Sequence, residues 1–292
     1  MISGRAHVGE VELAYDVFGD AGAWLVLIMG IGAQRILWDV AFCEQLVAAG
    51  FRVVRFDHRD IGESSRLTGH APKPLPLLAR RLLGAAVRAP YSLSDMARDV
   101  IGLMDHLGIA KAHVVGASLG GMVAQHLAIE HPDRISSLTS IMSTPGARRY
   151  LPEPRALRAL FVKPPQTAEE AGRTLEQMFA VIGSPGWPVD RARLRALGER
   201  AHATGPSPAG FLRHFAAVLA SGDRSAKLRD VRVPTLVIHG SRDPMFPLRA
   251  GRDTARLVPN ATWLPIAGMG HDLPEPLWPT FVAAIKRHAA RA

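Results

Sequence analysis

The chain has 292 residues, 48% of them hydrophobic, and 35 Lys and Arg against 26 Asp and Glu give it a net charge of +9. That much apolar material excludes a disordered chain and suffices for one large domain or two modest ones. A single cysteine, Cys43, excludes an intramolecular disulfide and a cysteine metal cage.

In chain order, the opening "AHVGEVELAYDVFG" alternates polar and apolar residues (Val8, Val11, Leu13, Tyr15, Val17), the period of an antiparallel edge hairpin. "WLVLIMG" (24–30) reads as a buried strand before a helical pattern over 36–49, where Cys43 serves as a small core hydrophobe. "FRVVRFD" (51–57) is the next strand. "AHVVGAS" (112–118) precedes the helical "GMVAQHLAIEH", and "ISSLTSIMS" (135–143) follows. "PTLVIHG" (234–240) precedes a helix over 248–257, and "ATWLPIAG" (261–268) precedes a last helix near 275–290. Short apolar strands alternating with helices indicate an α/β fold with a mostly parallel, twisted sheet covered on both faces.

Two segments break the rhythm. Residues 146–227 read as helices without strands, with Phe211, Leu212, Phe215, Val218 and Leu219 on one packing stripe. A helical block between two strands of a parallel sheet is expected to cap the sheet's C-terminal edge, where such folds bind ligands. The expected division is therefore a discontinuous core, 1–145 and 228–292, with a helical cap over 146–227. Residues 71–90, "APKPLPLLARRLLGAAVRAP", form a lid-like insertion in the core. There Leu75, Leu77, Leu78, Leu82, Leu83 and Val87 alternate with Arg80, Arg81 and Arg88. This reads first as an ordinary packed helix and second as a membrane-surface helix.

The basic surplus is spread along the chain in short clusters (Arg80-Arg81, Arg148-Arg149, 191–200) without interleaved aromatic residues, so a solvated surface is expected and no nucleic-acid partner. The N-terminal stretch lacks a basic region followed by an apolar one, and no run approaches the ~18 apolar residues of a membrane span. A cytoplasmic protein is the expectation.

The chemistry centres on "VVGASLGG", where Gly116-Ala117-Ser118-Leu119-Gly120 forms G-x-S-x-G between a strand and a helix. Such a turn crowds the residues two before and two after the serine, which must be glycine, and exposes Oγ at a helix N-terminus that favours anions. A nucleophilic serine needs a base, and the base an orienting carboxylate. Most of the twelve histidines sit in helical patterns (His106, His126, His131, His288), whereas His271 lies in the glycine-bearing loop "IAGMGHDLPEP" after a strand. Asp243, in "TLVIHGSRDPMFP", is the only carboxylate between Asp230 and Asp253, and "STPGARR" after the strand ending near Ser143 holds none. Backbone N–H groups of Leu119 and Ile31 are the candidate oxyanion donors.

These motifs resemble the α/β-hydrolases of the esterase, lipase and cofactor-free haloperoxidase-like group. "FDHRDIGESS" (56–65) is similar to the group's D-x-R-G-x-G-x-S loop with Asp60 in place of the first Gly, and "HGSRDPMFP" and "AGMGHDLP" are similar to its acid and histidine loops. The similarity runs from about residue 8 to 145 and from 230 to 288. It is closest to polyketide methylesterase and mycobacterial lipase/esterase-like members carrying an "MG" loop. Most of the group has His-Gly where this chain has Met29-Gly30, a departure that bears on the support of the loop and not on its backbone donor. The resemblance implies a serine hydrolase of carboxylic esters that uses neither cofactor nor metal, and a small apolar ester is the expected substrate. The aliphatic side chains of the cap (Leu157, Leu160, Phe161, Met178, Phe179, Val181, Phe215) agree with that substrate. Amide, thioester, lactone and carbon–carbon bond hydrolysis remain open, since all use the same triad, and so do two further readings. One is perhydrolysis, although cofactor-free members usually place Met where this chain has Leu119; the other is a ligand-binding relative with little turnover. Epoxide hydrolases and haloalkane dehalogenases of this fold use a carboxylate nucleophile, so Ser118 counts against both.

Overall fold

Apolar runs this short and this continuous fit strands that are buried on both faces, and eight strands join in one sheet. The computed structural model describes residues 1–69 and 71–292. Strands β1 (Ile2–Val8) and β2 (Val11–Phe18) form the antiparallel hairpin, and β2 also pairs antiparallel with β4 (Phe51–Phe56). From β4 onward, β3 (Ala23–Ile28), β5 (Ala112–Ala117), β6 (Ile135–Ile141), β7 (Thr235–Gly240) and β8 (Thr262–Ile266) run parallel. The order is β1-β2-β4-β3-β5-β6-β7-β8. Only β1 is an edge of the hairpin. Because β2 lies inside the sheet, Asp16 is buried there and pairs with Arg35 and Arg55.

Strand side chains alternate between two cores. Val26, Val54, Val114 and Leu138 face helices α3 (Leu93–His106) and α4 (Leu119–Glu130) through Met96, Leu103, Val123 and Leu127. Leu25, Leu27, Val53 and Val115 face α1 (Val40–Ala48) and α11 (Trp278–Ala289) through Phe42, Leu46, Trp278 and Phe281. Cys43 lies in this second core, where burial pushes its thiol up to about 12. Helix α1 starts later than the pattern over 36–49 suggests. Asp39 accepts the Ala41 N–H at 2.8 Å and so caps it, leaving Arg35–Leu37 as a separate single turn. The last helix is likewise preceded by a turn at Glu275–Leu277.

Residues 146–227 supply α5 (Pro154–Leu160), α6 (Ala168–Ile182), α7 (Arg191–Ala203), α8 (Pro208–Ser221) and the start of α9 (Ser225–Leu228), with no strand among the described residues. The expected stripe on α8 is displaced. Phe215 is buried, but Phe211, Leu212, Val218 and Leu219 are only half-buried, while Arg213, His214, Ala216 and Ala217 are buried. The cause is that the polar pair finds partners in the core: Arg213 on the Asp60 carboxylate and His214 on the Arg59 carbonyl. The 71–90 segment holds one short helix, α2 (Pro74–Leu82), packed on α8, and α10 (Leu248–Leu257) follows β7. No helix among the described residues is long and apolar enough to cross a membrane.

Candidate active site

Strand β5 ends at Ala117, α4 begins at Leu119, and Ser118 between them has φ 56° and ψ −119°. A left-handed serine is costly for the backbone and persists because the turn is packed from all sides. Strand and helix approach so closely that a Cβ on Gly116 would overlap the Gly120 carbonyl, and one on Gly120 the Ile28 carbonyl. Ser143 Oγ, in the loop after β6 where no carboxylate occurs, donates to the Ser118 carbonyl at 2.8 Å and braces the turn.

The structure brings the three expected side chains together. Ser118 Oγ lies 2.9 Å from His271 Nε2, and His271 Nδ1 lies 2.9 Å from Asp243 Oδ2. Asp243 stands in the loop after β7. Its Oδ1 accepts the N–H groups of Met245 and Phe246 at 2.8 and 3.0 Å, so one oxygen shapes the Asp-Pro turn and the other faces the histidine. His239, at the end of β7, adds a contact that the sequence pattern did not single out. Its Nε2–H donates to the Phe246 carbonyl at 2.9 Å and lies 3.5 Å from Asp243 Oδ2. Burial pushes the His239 imidazole below its ordinary range, with the Asp243 charge opposing.

His271 is held from the other side by the end of α6. Its N–H donates to the Ile182 carbonyl at 2.7 Å, and Gly270 N–H donates to Ser184 Oγ at 2.8 Å. Ser184 in turn donates to Asp272, whose carboxyl burial pushes up. The loop from core strand β8 is thus fastened to the helical segment, a tertiary contact without a motif.

The backbone of Gly30 passes beside Ser118, close enough that an added Cβ would lie 3.4 Å from the serine Cβ. The N–H groups of Leu119 and Ile31 have no hydrogen-bond acceptor among the described residues. With Met29 in place of histidine, the loop takes its support from two buried histidines. His58 Nε2–H donates to the Met29 carbonyl at 3.0 Å, and His214 Nδ1 accepts the Gly32 N–H at 3.3 Å while its Nε2–H donates to the Arg59 carbonyl at 2.9 Å. The two rings meet edge to face with centroids 5.6 Å apart. Burial pushes His58 down to about 3 and His214 to about 4, so both are neutral, in keeping with the one donor and one acceptor nitrogen of His214 and the single donated bond of His58. Farther along, Arg35 N–H donates to Asp57 at 2.6 Å and its guanidinium reaches Asp16, Asp57 and Glu63.

Ser118 and His271 open into a cavity of about 970 Å³. The Met29–Gln34 loop and Met142 form its core side, and Leu160, Met178, Phe179, Leu194 and Phe211 come from α5 to α8. Its lining is mainly apolar, and Ser118, His271 and a few other polar residues such as Gln34, Thr174 and His202 supply the groups that can fix a ligand's orientation.

Residues 23–275 match the family model described as alpha/beta hydrolase fold. The chain is 31% identical to rhodomycin D methylesterase DnrP of Streptomyces peucetius, across 97% of this chain and 96% of that protein. It is 29% identical to the putative carbamate hydrolase RutD of Caulobacter vibrioides, across 91% of each. Among solved structures, 2-hydroxy-6-oxo-6-phenylhexa-2,4-dienoate hydrolase from Rhodococcus superposes with a TM-score of 0.78 at 21% identity, over 100% of this chain and 99% of that one. At that identity the superposition speaks for the fold alone.

Proposed function

The chain belongs to the alpha/beta hydrolase fold family, and from that premise we propose that it hydrolyses carboxylic esters through Ser118, His271 and Asp243. Ser118 Oγ attacks the ester carbonyl carbon while His271 Nε2 takes the hydroxyl proton. His271 Nδ1–H donates to Asp243, which fixes the ring's tautomer and stabilises the imidazolium. The oxygen of the tetrahedral intermediate accepts the N–H groups of Leu119 and Ile31, at the positive end of α4. Collapse expels the alcohol, which takes the proton from His271. Water, deprotonated by the same nitrogen, then attacks the acyl carbon; the bond to Ser118 Oγ breaks, Oγ takes the proton back from His271 and the acid is released.

The observation that carries this reading is the pair of 2.9 Å contacts from serine to histidine to aspartate, with Ser118 and His271 lining a mainly apolar cavity. The 146–227 helices act as the cap, and a space of this volume suits a bulky apolar acyl or alcohol group. The methylesterase relative supports an ester as substrate. A carbamate is the second reading, supported by the Caulobacter relative, since the same attack on a carbonyl serves both.

Hydrolysis of nitrophenyl esters of graded acyl length, alongside a nitrophenyl carbamate, tests the proposal. Turnover should be lost in Ser118→Ala. Undiminished ester hydrolysis by that variant would overturn the mechanism, and faster cleavage of the carbamate would shift the substrate class.

A further inference from the structure

Helix α2 presents apolar side chains to solvent. Leu77 is buried, whereas Leu75, Leu82 and Leu83 are 77%, 51% and 84% exposed. With Ala79 they fall at i, i+4, i+7 and i+8, a single stripe on the side opposite Leu77. A helix that only packed on its neighbour would turn such a stripe inward.

The stripe lies in a basic setting. Between Ser64 and Ser94 the chain has no acidic residue but carries Arg66, Lys73, Arg80, Arg81 and Arg88. Arg148 joins them, its guanidinium beside Gly84, and Arg81 donates to the Gly146 carbonyl at 2.5 Å. Among the described residues, none of Lys73, Arg80, Arg81, Arg88 and Arg148 has a carboxylate within 4 Å. Burial and then the nearby Arg148 hold Arg81 below its ordinary range, with the charge of Asp223 opposing less strongly.

We propose that this face docks the protein on an anionic membrane surface. Leu75, Leu82 and Leu83 enter the boundary between headgroups and acyl chains, and Lys73, Arg80, Arg88 and Arg148 meet lipid phosphates. A second copy of the chain is a poorer occupant, because a two-fold contact through this patch would set its cations against one another. The inference does not depend on the ester-hydrolase reading, since docking is read without turnover.

The test is cosedimentation of the full chain with phosphatidylcholine vesicles, with and without phosphatidylglycerol. Binding is expected only with phosphatidylglycerol and should weaken as salt rises. Replacing Leu75, Leu82 and Leu83 together by serine should lower partitioning at least about tenfold, and Arg80→Gln with Arg88→Gln several-fold. These side chains are exposed, so melting temperature and activity on a soluble ester should stay unchanged and report that the variants fold. No sedimentation with either vesicle, or undiminished binding by the leucine variant, would overturn the proposal. A wild-type dimer that the leucine variant converts to monomer, without vesicle binding, would assign the face to a second copy instead.

Discussion

Asp60 and Arg213 form a buried two-pronged ion pair that joins the core to helix α8, with Nε–Oδ2 2.8 Å and Nη2–Oδ1 2.7 Å. Asp60 also accepts the Tyr91 hydroxyl and the Leu67 N–H, each at 2.8 Å. Burial pushes the carboxyl up, yet the bonds from Arg213 and Tyr91 outweigh it and hold Asp60 below the ordinary range. Its φ of 73° is a conformation that glycine adopts freely, and glycine is the residue of the motif that this loop resembles. Asp60→Gly would relieve the backbone by about 1 kcal/mol but leave Arg213 as an uncompensated buried cation. The expected outcome in urea unfolding is a net loss of about 3 kcal/mol, with partial recovery in Asp60→Gly combined with Arg213→Leu. An unchanged midpoint for the single variant would mean that the ion pair contributes nothing.

Acid stability should depend on His58 and His214. Both are depressed from 6.5 by burial, to about 3 and about 4. Above pH 6.5 neither the folded nor the unfolded chain protonates them, and their full contribution is present. As pH falls below 6.5 the unfolded chain binds two protons that the folded chain refuses. Stability is therefore lost down to about pH 3 to 4, where the buried rings at last accept them. His58→Gln retains an N–H for the Met29 carbonyl and removes one titration. Within that window its unfolding free energy should fall less steeply with acid than that of the wild type, by about 1.4 kcal/mol per pH unit. Parallel slopes would refute the assignment.

The fold was legible because burial on both faces of a sheet leaves a strong trace, and runs such as "WLVLIMG" and "PTLVIHG" are apolar nearly throughout. Ser118, Asp243 and His271 could each be located for a local reason: a glycine-framed turn, the only carboxylate in its interval, and a histidine in a glycine-bearing loop. The support of the loop beside Ser118 could not be located this way. His214 meets the Arg59 carbonyl from 155 residues away, and Arg213 meets Asp60 from 153. Their helix carries apolar residues on so many sides that periodicity named the wrong buried stripe. The orientation of α2 was not legible either, because Arg80 and Arg81 flank Leu77, the leucine that is buried, while Leu75, Leu82 and Leu83 on the other side face solvent.

If the His58 bond to the Met29 carbonyl positions the Ile31 amide, its loss should appear in turnover more than in substrate binding. The oxyanion is absent from the bound ester and develops only on the way to the tetrahedral intermediate, so His58→Ala is expected to lower kcat by roughly tenfold to a hundredfold with KM changed far less. His58→Gln should restore much of kcat. A variant whose KM rises while kcat stays level would point to a cavity wall out of place instead.

Asp243→Asn separates the two tasks that this carboxylate performs. Oδ1 holds the turn through Met245 and Phe246, and an asparagine oxygen can accept both N–H groups equally well. The amide NH2 then occupies the place of Oδ2 and donates toward His271 Nδ1, where a donor already stands in the active tautomer. His239 Nε2–H, 3.5 Å from that position, disfavours the NH2 further. The relieved arrangement puts the His271 proton on Nε2, facing Ser118, and leaves no base for the hydroxyl. The turn survives, so the melting temperature should move by only a few degrees, while kcat falls by about four orders of magnitude. Asp243→Ala differs because it strands the N–H groups of Met245 and Phe246 in a buried loop, adding roughly 1–3 kcal/mol of lost stability for each group left unpaired. Equal melting temperatures for the two variants would show that Oδ1 does not hold the turn, and near-wild-type turnover of Asp243→Asn would remove Asp243 from the mechanism.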